Sequence, residues 1–367
     1  MKIVKVRVYG HTLAKVGSYS MSTSAVGDPD STIVEVITDD GWVGWGEACP
    51  AGSQYQPVHA GGIRAALQLL GPALIGIDPS KIGVVHRVMD GALNGSNEAK
   101  AAIDIACWDL VGHSLGMAVC DLLGGALMDP VLTYHVVGIG TPDESVASAA
   151  ELMEAGHTKL QLKAGGRHID HDIESARAVA GIRQPGVDLF VDVNRGWTVD
   201  EAIRFSGACR DLDLAIEQPC NTYAECAVAR PLLSHPLLLD ESAVDLATVA
   251  RAIVEGVADG FGMKITRIGG ITGMRAVRDL CAATRTPTSC DDSWGGDIIA
   301  AACVQVGSTF EPALSRGAWI AAPYISGHYD DLHGPRIENG RIAVPAGSGL
   351  GVTIPDGHFG DPLAEYV

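Results

Sequence analysis

Between residues 131 and 323 the chain repeats one pattern eight times: a short apolar run of strand composition, then a polar or amphipathic stretch. The runs are "VLTYHVVG", "KLQLKAG", "DLFVDVN", "LAIEQP", "PLLLDES", "FGMKITRIGG", "TPTSCDD" and "GAWIAAP". Stretches such as "TPDESVASAAELMEAG" and "DLATVARAIVEGV" between them carry apolar residues at helical spacing. Eight strands parted by helices predict an α/β fold, a (β/α)7β barrel of TIM type.

The text before residue 126 follows a different rule. "MKIVKVRVYG" sets Val4, Val6 and Val8 against Lys5 and Arg7, and "STIVEVITDDGWVGWGE" reads as two strands joined at Asp40-Gly41. Helical text follows in "GIRAALQLLGPALIG" and "EAKAAIDIACWDLVGHSLG". We expect an α+β capping domain over residues 1–125, a barrel over 126–325, and a segment over 326–367, with hairpin-like "IENGRIAVPAGSGLGV", that returns to the capping domain.

With 47% apolar and 19% charged residues the chain is globular. A formal net charge of −18 argues against nucleic-acid or anionic-membrane partners, which need clustered Lys and Arg. The opening strand pattern is not the apolar core of a signal peptide, and no apolar run approaches the roughly 18 residues of a bilayer span. A cytoplasmic location is expected. The nine cysteines lack zinc-type spacing and read as buried thiols.

Charged residues inside the apolar runs locate the site. Asp192, Glu217, Asp240 and Lys264 follow one another at spacings of 25, 23 and 24 residues, each about one βα unit, and Lys163 stands 29 residues before Asp192. All five are predicted at one level of successive strands, at the end where barrels build active sites. Three converging carboxylates repel one another unless a cation sits among them, and an all-oxygen donor set favours a hard ion such as Mg²⁺. Asp192, Glu217 and Asp240 are the candidate ligands. Burial favours the neutral amine that a general base must be, so Lys163 and Lys264, on opposite sides of the acidic strands, are candidate bases for a proton α to a carboxylate.

As an ordered set these residues resemble the enolase superfamily, in its muconate-lactonizing-enzyme subgroup, over nearly the whole chain. The resemblance implies Mg²⁺, metal ligation by Asp192, Glu217 and Asp240, paired bases Lys163 and Lys264, and a homo-oligomer. One position departs from it: the usual Lys-x-Lys of the second strand is Gln161-Leu162-Lys163, so an amide stands where a cation would contact the substrate carboxylate. Tyr55 in "GSQYQP", Asp292 and Trp294 in "SCDDSWGG", and Trp319 in "RGAWIAAP" complete the candidate substrate contacts. Aromatic faces beside a carboxylate suit a quaternary ammonium. In these places the text resembles the subgroup's 4-hydroxyproline betaine and proline betaine 2-epimerases. The early loop "AKVGSYSMSTSAVGDPD", with Tyr19 its one aromatic, corresponds to part of that family's lid. The leading expectation is a Mg²⁺-dependent epimerase or racemase of an N-methylated proline, acting by two-lysine 1,1-proton transfer. A lyase, either a cis-3-hydroxyproline-type dehydratase or a cycloisomerase, is the alternative within enzymes; a catalytically silent metabolite-binding barrel is the alternative outside them.

Overall fold

The computed structural model describes residues 1–17 and 27–367; Tyr19 lies outside the described residues. Three antiparallel strands open the chain: β1 (Ile3–Thr12), β2 (Asp30–Thr38) and β3 (Val43–Ala48). The Asp40-Gly41 turn joins the last two, with Gly41 at φ 86°, a conformation that costs glycine nothing. Helices α1 (Ala60–Ala73), α2 (Ile82–Ala92), α3 (Asn97–Leu115) and the single turn α4 (Val119–Leu122) follow. Helix α3 is buried on nearly every side, which its Ala-rich text allows. It lies so close to β3 that a Cβ on Gly46 would come within 1.8 Å of the Ala102 carbonyl oxygen.

The second regime begins at β4 (Val131–Leu132) and β5 (His135–Val137). It continues through α5 (Pro142–Glu154), β6 (Lys159–Lys163), α6 (Ile169–Ile182), β7 (Asp188–Asp192), α7 (Val199–Ala208) and β8 (Ala215–Glu217). Then come α8 (Tyr223–Ala229), β9 (Leu237–Leu239), α9 (Leu246–Val254), β10 (Gly260–Phe261), α10 (Ile271–Thr284) and α11 (Asp297–Gly307). Strands β5 to β10 pair in parallel and in chain order. Parallel bridges Phe261–Thr288, Thr288–Ser315 and Thr133–Ala318 add two more runs and close the ring. The result is the expected (β/α)7β barrel with its α+β cap. Three of its helices start on capping boxes written plainly in the sequence, Thr141 with Glu144, Thr198 with Glu201 and Thr222 with Glu225.

The tail splits its contacts. Its hairpin, β11 (Ile337–Glu338) and β12 (Arg341–Ile342), pairs with β4 beside the barrel, whereas β13 (Ala364–Tyr366) is the part that joins the capping sheet, against β1. Alternating side chains gave the hairpin but not its partner. No helix among the described residues is long and apolar enough to cross a membrane.

Two buried carboxylates of the cap, Glu47 and Asp104, accept from the first turns of barrel helices. Asp104 of α3 accepts from Thr272 N at 3.0 Å and Thr272 Oγ1 at 2.5 Å, and lies 2.7 Å from His86 Nε2. It thereby caps α10, whose own N-cap, Gly270 at φ 100°, has no side chain to do so. Asp104→Ala leaves the α10 amide and His86 without an acceptor, and is expected to cost about 2–3 kcal/mol. Chemical denaturation followed by circular dichroism checks this.

Candidate active site

Strand register decides how the charged residues meet. Lys163, Asp192 and Glu217 are direct Cα partners across β6, β7 and β8. Glu217 then pairs with Leu238, so Asp240 stands two residues further along, and Lys264 comes three residues beyond Phe261, the partner of Leu239. The five do not share one level, as strand spacing suggested; the later two climb with the stagger that barrel closure imposes. Asp240 keeps the inward face because its shift is two residues and side chains alternate.

One small cavity, about 30 Å³, collects most of the sequence-derived set. Tyr55, Gln161, Lys163, Asp192, Asp240, Lys264, Asp292, Trp294 and Trp319 line it. Glu217 is the exception: it lies beneath Gln161, whose Nε2 donates to its Oε2 at 2.9 Å. The two tryptophan rings meet edge to face at 5.8 Å, and Tyr324 stacks behind Trp319 at 5.6 Å. Tyr55 also lines a cleft of about 680 Å³ between cap and barrel.

Each acid has its own protein partner. Lys163 Nζ donates to Asp192 Oδ2 at 2.5 Å and to Asn194 Oδ1 at 3.2 Å. Arg267 Nη1 holds Asp240 Oδ1 at 2.5 Å, the Tyr55 hydroxyl donates to Asp240 Oδ2 at 2.7 Å, and Lys264 Nζ lies 3.4 Å from that same oxygen. Lys264 reaches Asp291 Oδ2 as well, at 3.2 Å. Among the described residues no three acid, cysteine or histidine groups stand in the arrangement of a formed metal site.

The electrostatics follow from this burial. Removal from water, then repulsion from Asp192 and Asp240, drives the Glu217 carboxyl well above the usual range. Burial acts on Asp240 in the same direction, yet Arg267 and Lys264 outweigh it and keep that carboxylate ionised. Glu241, next in the chain, is pushed up to about 8 by burial and by Asp240 and Asp192. Burial works to lower Lys264, but Asp240 and other anionic neighbours, including Asp291, hold it well above the ordinary lysine value. The expectation counted burial alone; two buried carboxylates act against it on that amine. The donor chemistry fits a hard divalent cation, because crowded, mutually repelling oxygens are what such an ion relieves.

Sequence reasoning missed four participants. Asn194 and Glu241 each sit one or two residues past a named acid, and Asn194 Nδ2 bridges toward both Asp192 and Glu241. Arg267 ends the "KITR" run that begins with Lys264. Asp291 precedes the named Asp292 and holds Lys264, accepting also from Tyr134 and Ser289. Asp292 accepts from Ala321 N at 3.2 Å, while its Oδ1 is buried without a hydrogen-bond partner.

Fold and site together define a capped barrel that brings lysines and carboxylates to one small cavity at the strand ends. The chain belongs to the enolase superfamily, in its mandelate racemase/muconate lactonizing enzyme branch: residues 3–124 match the N-terminal domain of that branch and residues 144–357 the enolase C-terminal domain-like family. It is an enzyme of that superfamily. A cis-3-hydroxy-L-proline dehydratase from Roseibium aggregatum is 40% identical over the whole of both chains. A hydrophobic dipeptide epimerase from Enterococcus faecalis is 29% identical over 77% of this chain and 79% of its own. A mandelate racemase/muconate lactonizing enzyme homologue from Roseovarius nubinhibens ISM, crystallised with magnesium, superposes with TM-score 0.95 at 32% identity over all of both chains. The relative at 40% identity is thus a dehydratase and not a betaine 2-epimerase.

Proposed function

We propose that the protein removes the proton α to the carboxylate of a proline-type amino acid and returns one to the opposite face, epimerising Cα. The observation that carries this reading is the presence of both Lys163 and Lys264 in one cavity, on strands separated by the three acidic ones. Two amines facing one carbon supply a base for each face. Asp192, Glu217 and Asp240 are assigned to Mg²⁺, which supplies the positive charge that makes a carbon beside a carboxylate acidic enough to lose its proton. To accept that ion Asp192 and Glu217 must relax their holds on Lys163 and Gln161, whereas Asp240 keeps Arg267 and Tyr55 and offers its remaining lone pairs. Gln161 is assigned to the substrate carboxylate side, as a neutral donor in place of a cation.

Trp319 and Trp294 are assigned to the flat side of the ring, and Asp292 to its nitrogen. A quaternary, N-methylated nitrogen would draw on the aromatic faces. A secondary ammonium would draw on the orphaned Asp292 Oδ1. A cavity of about 30 Å³ has room for about one water, so admission of any such ring requires the cavity to widen.

A second reading has a specific observation behind it. The 40% identical dehydratase and the orphaned Asp292 favour an unmethylated hydroxyproline, from which one lysine takes the α proton while the other protonates the departing β-hydroxyl, releasing water. Turnover of proline betaine, the free secondary amine and cis-3-hydroxy-L-proline, with Trp319→Ala and Asp292→Asn in parallel, separates the readings. Epimerisation of the betaine that leans on Trp319 supports the first. A new alkene or keto product from the hydroxyproline, dependent on Asp292, replaces it with the second.

A further inference from the structure

We propose that the Tyr55 hydroxyl, braced by Arg267, is a positioning group for the Asp240 carboxylate and so sets the affinity of the site for its metal ion. This rests on the assignment of Asp240 to Mg²⁺ made above.

Asp192 and Glu217 end their strands and take their side-chain hydrogen bonds from Lys163, Asn194 and Gln161, all of the barrel. Asp240 differs on both counts. Strand β9 ends at Leu239, so Asp240 is the first residue of a loop, tied at its backbone N to Gln218 Oε1 at 3.1 Å. Its carboxylate is aimed by side chains alone. Arg267 Nη1 takes Oδ1 together with the Asp240 carbonyl at 2.7 Å, and Arg267 Nη2 donates to the Tyr55 oxygen at 3.1 Å. The Tyr55 hydroxyl then donates to Oδ2, which closes a ring of hydrogen bonds through three buried side chains.

Tyr55 belongs to the capping unit, in the segment between β3 and α1. That segment is strapped across the mouth: Arg195 Nη2 donates to Gln54 O at 2.9 Å, and Gln56 Nε2 to Ser293 Oγ at 3.0 Å. Asp240 is therefore the proposed metal ligand to whose orientation the cap adds a hydrogen bond, beside those of Arg267 in the barrel. A partner that fixes a ligating carboxylate in place typically contributes about 10–100-fold to metal affinity.

The test is titration calorimetry of Mg²⁺ into the full-length protein. Tyr55→Phe keeps the ring under the Arg267 guanidinium, which lies 5.8 Å from its centroid, and removes only the hydroxyl. Its Mg²⁺ Kd is expected to rise about 10–100-fold in a protein that keeps its folded circular-dichroism spectrum. Gln56→Ala loosens the same strap without touching Asp240 and is expected to leave the Kd unchanged. An unchanged or tighter Kd in Tyr55→Phe, or an equal loss in Gln56→Ala, overturns the assignment while leaving Mg²⁺ dependence intact. Failure of the unmodified protein to bind Mg²⁺ overturns the metal assignment itself and this one with it.

Discussion

Lys264→Ala is expected to abolish epimerisation, with a loss on the order of 10²–10⁴-fold, the usual worth of a positioned general base. The same loss is expected for Lys163→Ala. What separates catalysis from damage is the handedness of the remainder. Each variant should still exchange the α proton of one stereoisomer, the one whose proton faces the surviving lysine, and the two variants should be complementary. Unfolding cannot produce that pattern. It matters here because Lys264 neutralises Asp240 and Asp291, both buried, and removing one partner of a buried pair costs about 3–5 kcal/mol. Lys264→Ala should therefore melt well below the unmodified protein. Equal exchange of both stereoisomers by either variant contradicts the assignment of one base to each face.

Glu217→Gln is expected to behave in the opposite way, harming activity and sparing the fold. Burial and the neighbouring acids already push the Glu217 carboxyl toward its neutral form, and an amide of the same shape relieves that repulsion while its oxygen still accepts from Gln161. Stability should hold or rise. Mg²⁺ affinity should fall by more than the roughly 10–100-fold that follows loss of an outer contact to a ligand. Activity should fall with it, and exhaustive chelation of the unmodified protein should reproduce that loss until Mg²⁺ is returned. Full turnover in chelator contradicts the metal assignment.

How much of this was legible beforehand depends on whether the information was local. The barrel could be read because periodicity is a local signal: alternation at "LQLK", apolar residues at helical spacing in "TPDESVASAAELMEAG". The key residues could be read because Lys and Asp are out of place in apolar strands. Pairing could not. That Gln161 rests on Glu217, that Arg267 and Tyr55 divide Asp240 between them, and that Asp291 shares Lys264 are consequences of ring closure and of a cap folding over from residues far away in sequence. The acids around Lys264 were out of reach for the same reason. Burial can be foreseen from an apolar run, but the count of buried acids around the amine cannot, and it is the acids that win. The stagger of Asp240 and Lys264 was likewise invisible, since spacing along the chain fixes the face but not the height.

The central claim is abstraction of a proton α to a carboxylate, and proton NMR in deuterated water tests it most directly. With Mg²⁺ and a proline-type substrate, the expected result is loss of the Cα–H signal by deuterium replacement. An epimerase should give this from either stereoisomer, ending in a mixture of the two with the ring intact. A dehydratase should instead give a new alkene or keto product. Recovery of all substrates across the series with Cα–H undiminished and no product, in a protein that binds both Mg²⁺ and those substrates, contradicts it.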